Sequence, residues 1–138
     1  MKQKLTIWNL QLNIFYTDNN FNCIFNSRNR QGGGVAFIIK KEIDFCLIND
    51  LEKFNCECLC IKLEINNEET YLITYYNSPT TDLNIEMFEY IEKTFKNYII
   101  CGDLNSKNKA IGCRENNKNG NKLIDFISYN NAIIVNNH

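Results

Sequence analysis

The segment that most limits what this chain can fold into is Tyr98-Ile99-Ile100-Cys101-Gly102-Asp103-Leu104-Asn105. A short apolar run closed by a glycine reads as a buried strand. Residues two apart on an extended backbone point to the same side. Asp103 and Asn105 are therefore expected to face one spot at the strand's carboxyl end, where open α/β sheets hold their ligands. A carboxylate there aligns a water or a divalent cation, and a neutral amide beside it donates to a phosphate oxygen. The pairing suits phosphodiester hydrolysis. A strand followed by a plain Asp/Asn turn is an equally open reading.

The rest of the chain supplies partners for such a strand. Phe21, Cys23 and Phe25 alternate as a strand. Gly32-Gly33-Gly34 turns into the apolar run Val35–Ile39, and without a following Lys-Ser/Thr or helix it is no nucleotide loop. Ile43–Ile48 and Cys56–Ile65 read as strands, the second with Leu59, Ile61, Leu63 and Ile65 on one face. Asn66–Glu69 is a turn, and Thr70–Tyr76 returns as the other arm of a hairpin. Asp82 is a suitable N-cap for a helix whose stripe is Leu83, Met87, Ile91 and Phe95. A second helix is expected over Asn121–Tyr129 and a last strand over Ala132–Val135. Residues 5–16 alternate weakly and fix no element type.

Hairpin strands followed by helix, strand, helix, strand define an α/β fold, either one mixed sheet or two sheets packed face to face with helices outside. At 138 residues the chain suits a single domain, with no repeat and no linker. No basic-then-apolar leader opens it and no apolar run reaches the ~18 residues of a membrane span, so it reads as soluble and intracellular. Seven cysteines are an odd number, and several lie inside apolar runs, so reduced thiols packed as small hydrophobes are expected. Cys56, Cys58 and Cys60 share a face but lack the second pair or His of a zinc site. Asparagine is abundant, as in a chain from an AT-rich genome, so most asparagines are expected to carry no function.

Net charge is −1, yet unevenly spread. Residues 42–92 hold twelve acids and two bases, whereas the segments on either side are basic. The loop after Asn105 carries Lys107, Lys109, Arg114, Lys118 and Lys122 against Glu115. It can track a phosphate backbone; a solvated loop with incidental lysines reads equally well.

The order of these stations resembles the endonuclease/exonuclease/phosphatase superfamily, and within it the endonuclease domain of non-LTR retrotransposons. Arg28-Asn29-Arg30 before Gly32-Gly33-Gly34-Val35-Ala36 is similar to its basic residues leading into a Gly-Gly-Gly-Val-Ala strand. Glu57-Cys58-Leu59-Cys60-Ile61 resembles the start of its central strand, and Tyr75-Tyr76-Asn77-Ser78-Pro79 its tyrosine–proline strand end. Gly102-Asp103-Leu104-Asn105 matches its Gly-Asp-hydrophobic-Asn signature. Gly120, Leu123 and Phe126, then Ile134-Val135-Asn136, resemble the helix and strand that follow.

The resemblance covers roughly residues 8–137 and implies part of a two-sheet β-sandwich flanked by helices. It implies that Asp103 orients or deprotonates the attacking water, that Asn105 holds the scissile phosphate, and that Tyr76 contacts it or stabilises its developing charge. Arg28, Arg30, Lys107, Lys109 and Arg114 become the expected nucleic-acid contacts. Mg²⁺ is the implied cofactor, with Mn²⁺ as alternative, and its protein ligands stay unassigned. DNA nicked on one strand is the implied substrate, with a reverse transcriptase domain in the parent protein and a nuclear location. The family's metal-binding Glu aligns with Thr6 or before Met1, and its Ser-Asp-His motif falls beyond His138, so a partial domain with impaired hydrolysis is expected. A silent remnant, and a phosphodiesterase or phosphatase acting on other substrates, are the alternatives. A plain nucleic-acid-binding module stacking bases on Phe21, Phe25 or Tyr129 is a fourth, disfavoured because those aromatics fall at core positions.

Overall fold

The computed structural model describes residues 20–27 and 34–135. Two antiparallel strands, β1 (Phe21–Ser27) and β2 (Gly34–Lys40), form one sheet. The second sheet has four strands in the order β3 (Phe45–Ile48), β4 (Glu57–Ile65), β5 (Glu68–Tyr76) and β6 (Tyr98–Cys101). Its first three strands run antiparallel; β5 and β6 run parallel, joined by the helix α1 (Ile85–Thr94). The helix α2 (Lys118–Asn130) follows β6. β2 lies against β4 and β5, so the sheets stack as a sandwich.

The hairpin between β4 and β5 turns on Asn66 and Asn67, both left-handed (φ 53° and 62°). Two successive positive φ values make the turn whose twist matches the strands it joins, and asparagine tolerates them. The period-two pattern of β4 and β5 then assigns two faces. Cys58, Cys60, Ile73 and Tyr75 join Tyr98 and Ile100 of β6 on the helix side. Against them pack Met87, Phe88 and Ile91 of α1 and Leu123 and Phe126 of α2. Met87, Phe88, Ile91 and Leu123 are fully enclosed, and each such burial stabilises by about 2 kcal/mol. Phe88 meets Phe126 edge-on at 5.4 Å, joining the helices over the sheet. Burial pushes the Cys58 and Cys60 thiols up to about 12, so both behave as small apolar side chains.

The opposite face of the sheet is thinner. Val35, Ile39 and Ile61 are buried there, while Leu59 and Leu63 are half-covered and Ile65 is exposed. Phe25 is 68 % exposed and Tyr129 88 %, which corrects the expectation that these aromatics sit in the core. Alternation marks which residues share a face, not whether anything covers it.

The helices differ from expectation at their ends. Asn84, not Asp82, caps α1, its Oδ1 accepting from the Met87 amide at 3.0 Å. Asp82 instead pairs with Lys118 and Lys122 of α2 at 2.6 and 3.1 Å. Leu83 and Phe95 are buried as the stripe requires, but both lie outside the helix. Helix α2 begins three residues earlier than expected because Asn117 accepts from the Gly120 amide at 2.7 Å. The expected last strand is reduced to an isolated bridge at Ile134.

Candidate active site at the carboxyl end of the parallel strands

Strand β6 stops at Cys101 because of Gly102 (φ +130°). A Cβ at Gly102 would lie 2.1 Å from the Tyr75 carbonyl oxygen, so only glycine lets the chain pass this close to β5. Asp103 and Asn105 consequently do not alternate along an extended strand, as the sequence reading expected. They come together by a turn: the Asn105 amide donates to Asp103 Oδ1 at 2.9 Å, with Asn105 left-handed at φ 46°.

The turn is docked onto the end of β5. The Asn77 amide donates to the Asp103 carbonyl at 2.8 Å, and Asn105 Nδ2 donates back to the Asn77 carbonyl at 2.8 Å. Asn77 is itself buried, accepting from the Tyr75 hydroxyl at 3.0 Å and donating to the Thr81 carbonyl at 2.9 Å. The register of β5 on β6 pairs Thr74 with Cys101, so two residues further on Tyr76 is level with Asp103. Tyr76, Asp103 and Asn105 thus share one corner of the sheet. One N–H of the Asn105 carboxamide is spent on Asn77. Among the described residues, its second N–H and Asp103 Oδ2 have no hydrogen-bond partner. An acceptor-rich carboxylate and an unspent amide donor are what a tetrahedral phosphate and its attacking water require.

On the sandwich side Tyr76 lines a cleft of ≈ 530 Å³ with Glu57, Asn26, Cys56, Ser78 and Asn84. Glu57 stands directly opposite Tyr76 in the β4–β5 register. The cleft and the Asp103–Asn105 turn are separate features that meet at the Tyr76–Asn77 strand end.

The basic residues divide. Arg28 and Arg30 lie outside the described residues. Lys107 pairs with Glu115 at 2.7 Å, which raises its pKa and lowers that of Glu115. Lys118 and Lys122 belong to α2, where they hold Asp82 and lower its pKa. Lys109 and Arg114 are exposed and make no ion pair with described residues, so of the loop's cations these two are available for phosphate. No helix among the described residues is long and apolar enough to cross a membrane.

The residues that sequence reading passed over are asparagines. Asn77 and Asn117 hold Asn105 in place, and buried Asn119 bridges the Thr81 carbonyl and the Leu83 amide at 2.8 and 2.9 Å. The local signal was the spacing Asn117-x-x-Gly120, an N-cap pattern hidden in an asparagine-rich chain.

Comparison with known proteins supplies the class and then the family. The fold is similar to the endonuclease domain of TRAS1, a telomere-specific non-LTR retrotransposon, with a TM-score of 0.68 over 83 % of this chain at 20 % identity. This chain spans 54 % of that domain. No curated protein matches the sequence. The family model described as endonuclease-reverse transcriptase matches residues 70–138, half of the chain, and the chain belongs to that family. The matched segment contains Tyr76, Asp103, Asn105 and both helices.

Proposed function

We propose that this chain is part of a retrotransposon-type endonuclease that nicks DNA by hydrolysing a phosphodiester at the β5–β6 corner. The observation that carries the reading is the turn in which Asp103 and Asn105 are hydrogen-bonded to each other and docked beside Tyr76. In this reading Asp103 aligns the water for in-line attack and accepts its proton. Asn105 donates its second N–H to a non-bridging phosphate oxygen, and the Tyr76 hydroxyl stabilises charge developing there. Lys109 and Arg114 hold the flanking backbone.

Endonucleases of this superfamily generally depend on a metal, and Mg²⁺, with Mn²⁺ as alternative, is the proposed cofactor. No group of three His, Cys, Asp or Glu side chains among the described residues could hold an ion. Asp103 offers a single carboxylate, short of the ligand set such an ion takes from protein and substrate. The described residues therefore do not form a metal cage, and the roles above involve none. The family description also supports a reverse transcriptase in the parent protein; a nuclear site of action is proposed alongside it.

The test is nicking of supercoiled plasmid in Mg²⁺, comparing the chain with Asp103→Ala at equal concentration. Loss of nicking in the variant, with its melting temperature unchanged, supports the reading. Equal nicking by both, or none by either folded protein, contradicts it.

A further inference from the structure

We propose that Asn117 is a positioning residue for the phosphate-binding amide of Asn105, beyond its service as the cap of α2. The proposal rests on the functional reading given to Asn105 above. One Asn117 side chain makes three hydrogen bonds. Its Oδ1 accepts from the Gly120 amide at 2.7 Å and from the Lys107 amide at 3.0 Å. Its Nδ2 donates to the Asn105 carbonyl at 2.8 Å.

The first two bonds need only an acceptor. Asp or Ser caps a helix as well as Asn does, so capping alone does not call for a carboxamide. The donating Nδ2 is what Asn adds, and it reaches Asn105. That residue needs an external hold, because a left-handed backbone is a minority state for a residue with a side chain. Three bonds fix it: its amide to Asp103, its carboxamide to Asn77 and its carbonyl to Asn117. The first two come from the turn itself and the residue after β5, and Asn117 brings the third from the start of α2.

The Asn117 bond also reaches the rigid body of α2. The Asn117 amide donates to the Lys107 carbonyl at 2.9 Å, closing a reciprocal pair with the Lys107 amide. A Cβ on Gly120 would fall 1.8 Å from that same carbonyl, so the first turn of α2 lies directly on the segment following Asn105. Leu123 and Phe126 then anchor α2 in the core. Rotation of the Asn105 peptide would swing its carboxamide, and a misplacement of about 1 Å can cost on the order of 10²-fold in rate.

The discriminating variant is Asn117→Asp, which keeps both acceptor bonds, suits a helix N-terminus electrostatically and replaces the donor to the Asn105 carbonyl by a carboxylate oxygen that can only repel it. Plasmid nicking and thermal melting are measured for Asn117→Asp, Asn105→Ala and the double variant. The expected result is a melting temperature held close to that of the unsubstituted chain, kcat reduced at least tenfold and KM changed less than twofold. The double variant should be no slower than Asn105→Ala alone, because both act through one group. An unchanged kcat in a folded Asn117→Asp protein, or losses that multiply in the double variant, would overturn the proposal. If the unsubstituted chain nicks no better than Asp103→Ala, the functional reading fails by itself. The positioning claim is then decided by the amide and carboxamide NMR resonances of Asn105. They should shift in Asn117→Asp, and unshifted resonances refute it.

Discussion

The two ends of the parallel pair β5–β6 are both laced by asparagine, and they are laced differently. At the amino end Asn97 is buried, its carbonyl accepting from the Tyr71 amide at 2.9 Å. Both N–H bonds of its carboxamide are consumed, one by Glu68 Oε2 at 3.0 Å and one by the Glu69 carbonyl at 3.1 Å. At the carboxyl end Asn105 commits one N–H to Asn77, and Asp103 commits one oxygen to the Asn105 amide. At the amino end both carboxamide donors are spent; at the carboxyl end one carboxamide donor and one carboxylate oxygen stay in reserve. A tie with no donor left over stabilises the fold, whereas a tie with a donor to spare beside a carboxylate oxygen can also meet a substrate phosphate.

The comparison can be broken most severely at Gly102. Gly102→Val forces a side chain into the Tyr75 carbonyl and should cost about 3 kcal/mol or more, or prevent folding, as read by urea denaturation. Next is Asn105→Ala, which should slow nicking about 10²-fold, the usual toll for one preorganised donor to developing charge. Its cost in stability should be about 1 kcal/mol. Asn97→Ala should do the reverse, costing about 1 kcal/mol in stability by deleting two hydrogen bonds made by a buried carboxamide, while the nicking rate per folded molecule stays the same.

A pH titration sharpens the contrast further. Burial, and then the 2.6 Å bond to Glu92, raise the Tyr98 phenol well above its ordinary value of 10.0. The folded chain keeps a proton that the unfolded chain releases. Tyr98 therefore contributes stability in full below pH 10, and the contribution is lost as pH rises beyond it. Tyr98→Phe should flatten the alkaline limb of a urea-midpoint profile, leaving the part due to Cys58, Cys60, Cys101 and Tyr75, whose pKa values burial also raises. The smallest effect is expected from Lys109→Ala and Arg114→Ala. Each should lower the magnitude of the salt slope of DNA binding by about 1 without altering the melting temperature.

How much of this was legible in the sequence follows from what each feature depends on. Strands β1 to β6, the β4–β5 hairpin and both helices could be read because period-two and period-3.6 patterns report local geometry directly, whereas the strand expected over Ala132–Val135 is only a bridge. The identity of Asp103, Asn105 and Tyr76 as a group was legible through a motif, but their arrangement was not. It depends on Gly102 at φ +130° and Asn105 at φ 46°, which end the alternation on which the sequence argument relied. The asparagine ties were illegible for another reason: in a chain this rich in asparagine, composition hides position. Every non-glycine residue with positive φ among those described is an asparagine, namely Asn55, Asn66, Asn67, Asn105 and Asn131. The exposure of Phe25 was invisible because alternation says nothing about what lies across a face.

The most direct test of the central claim is an amide chemical-shift map of the labelled chain titrated with a short DNA duplex. Perturbations concentrated on Tyr76, Asn77, Asp103, Asn105 and the Lys109–Arg114 loop, with Asn97 and Glu68 silent, are the result this account predicts. Perturbations centred on the amino end, or spread without regard to either, would contradict it.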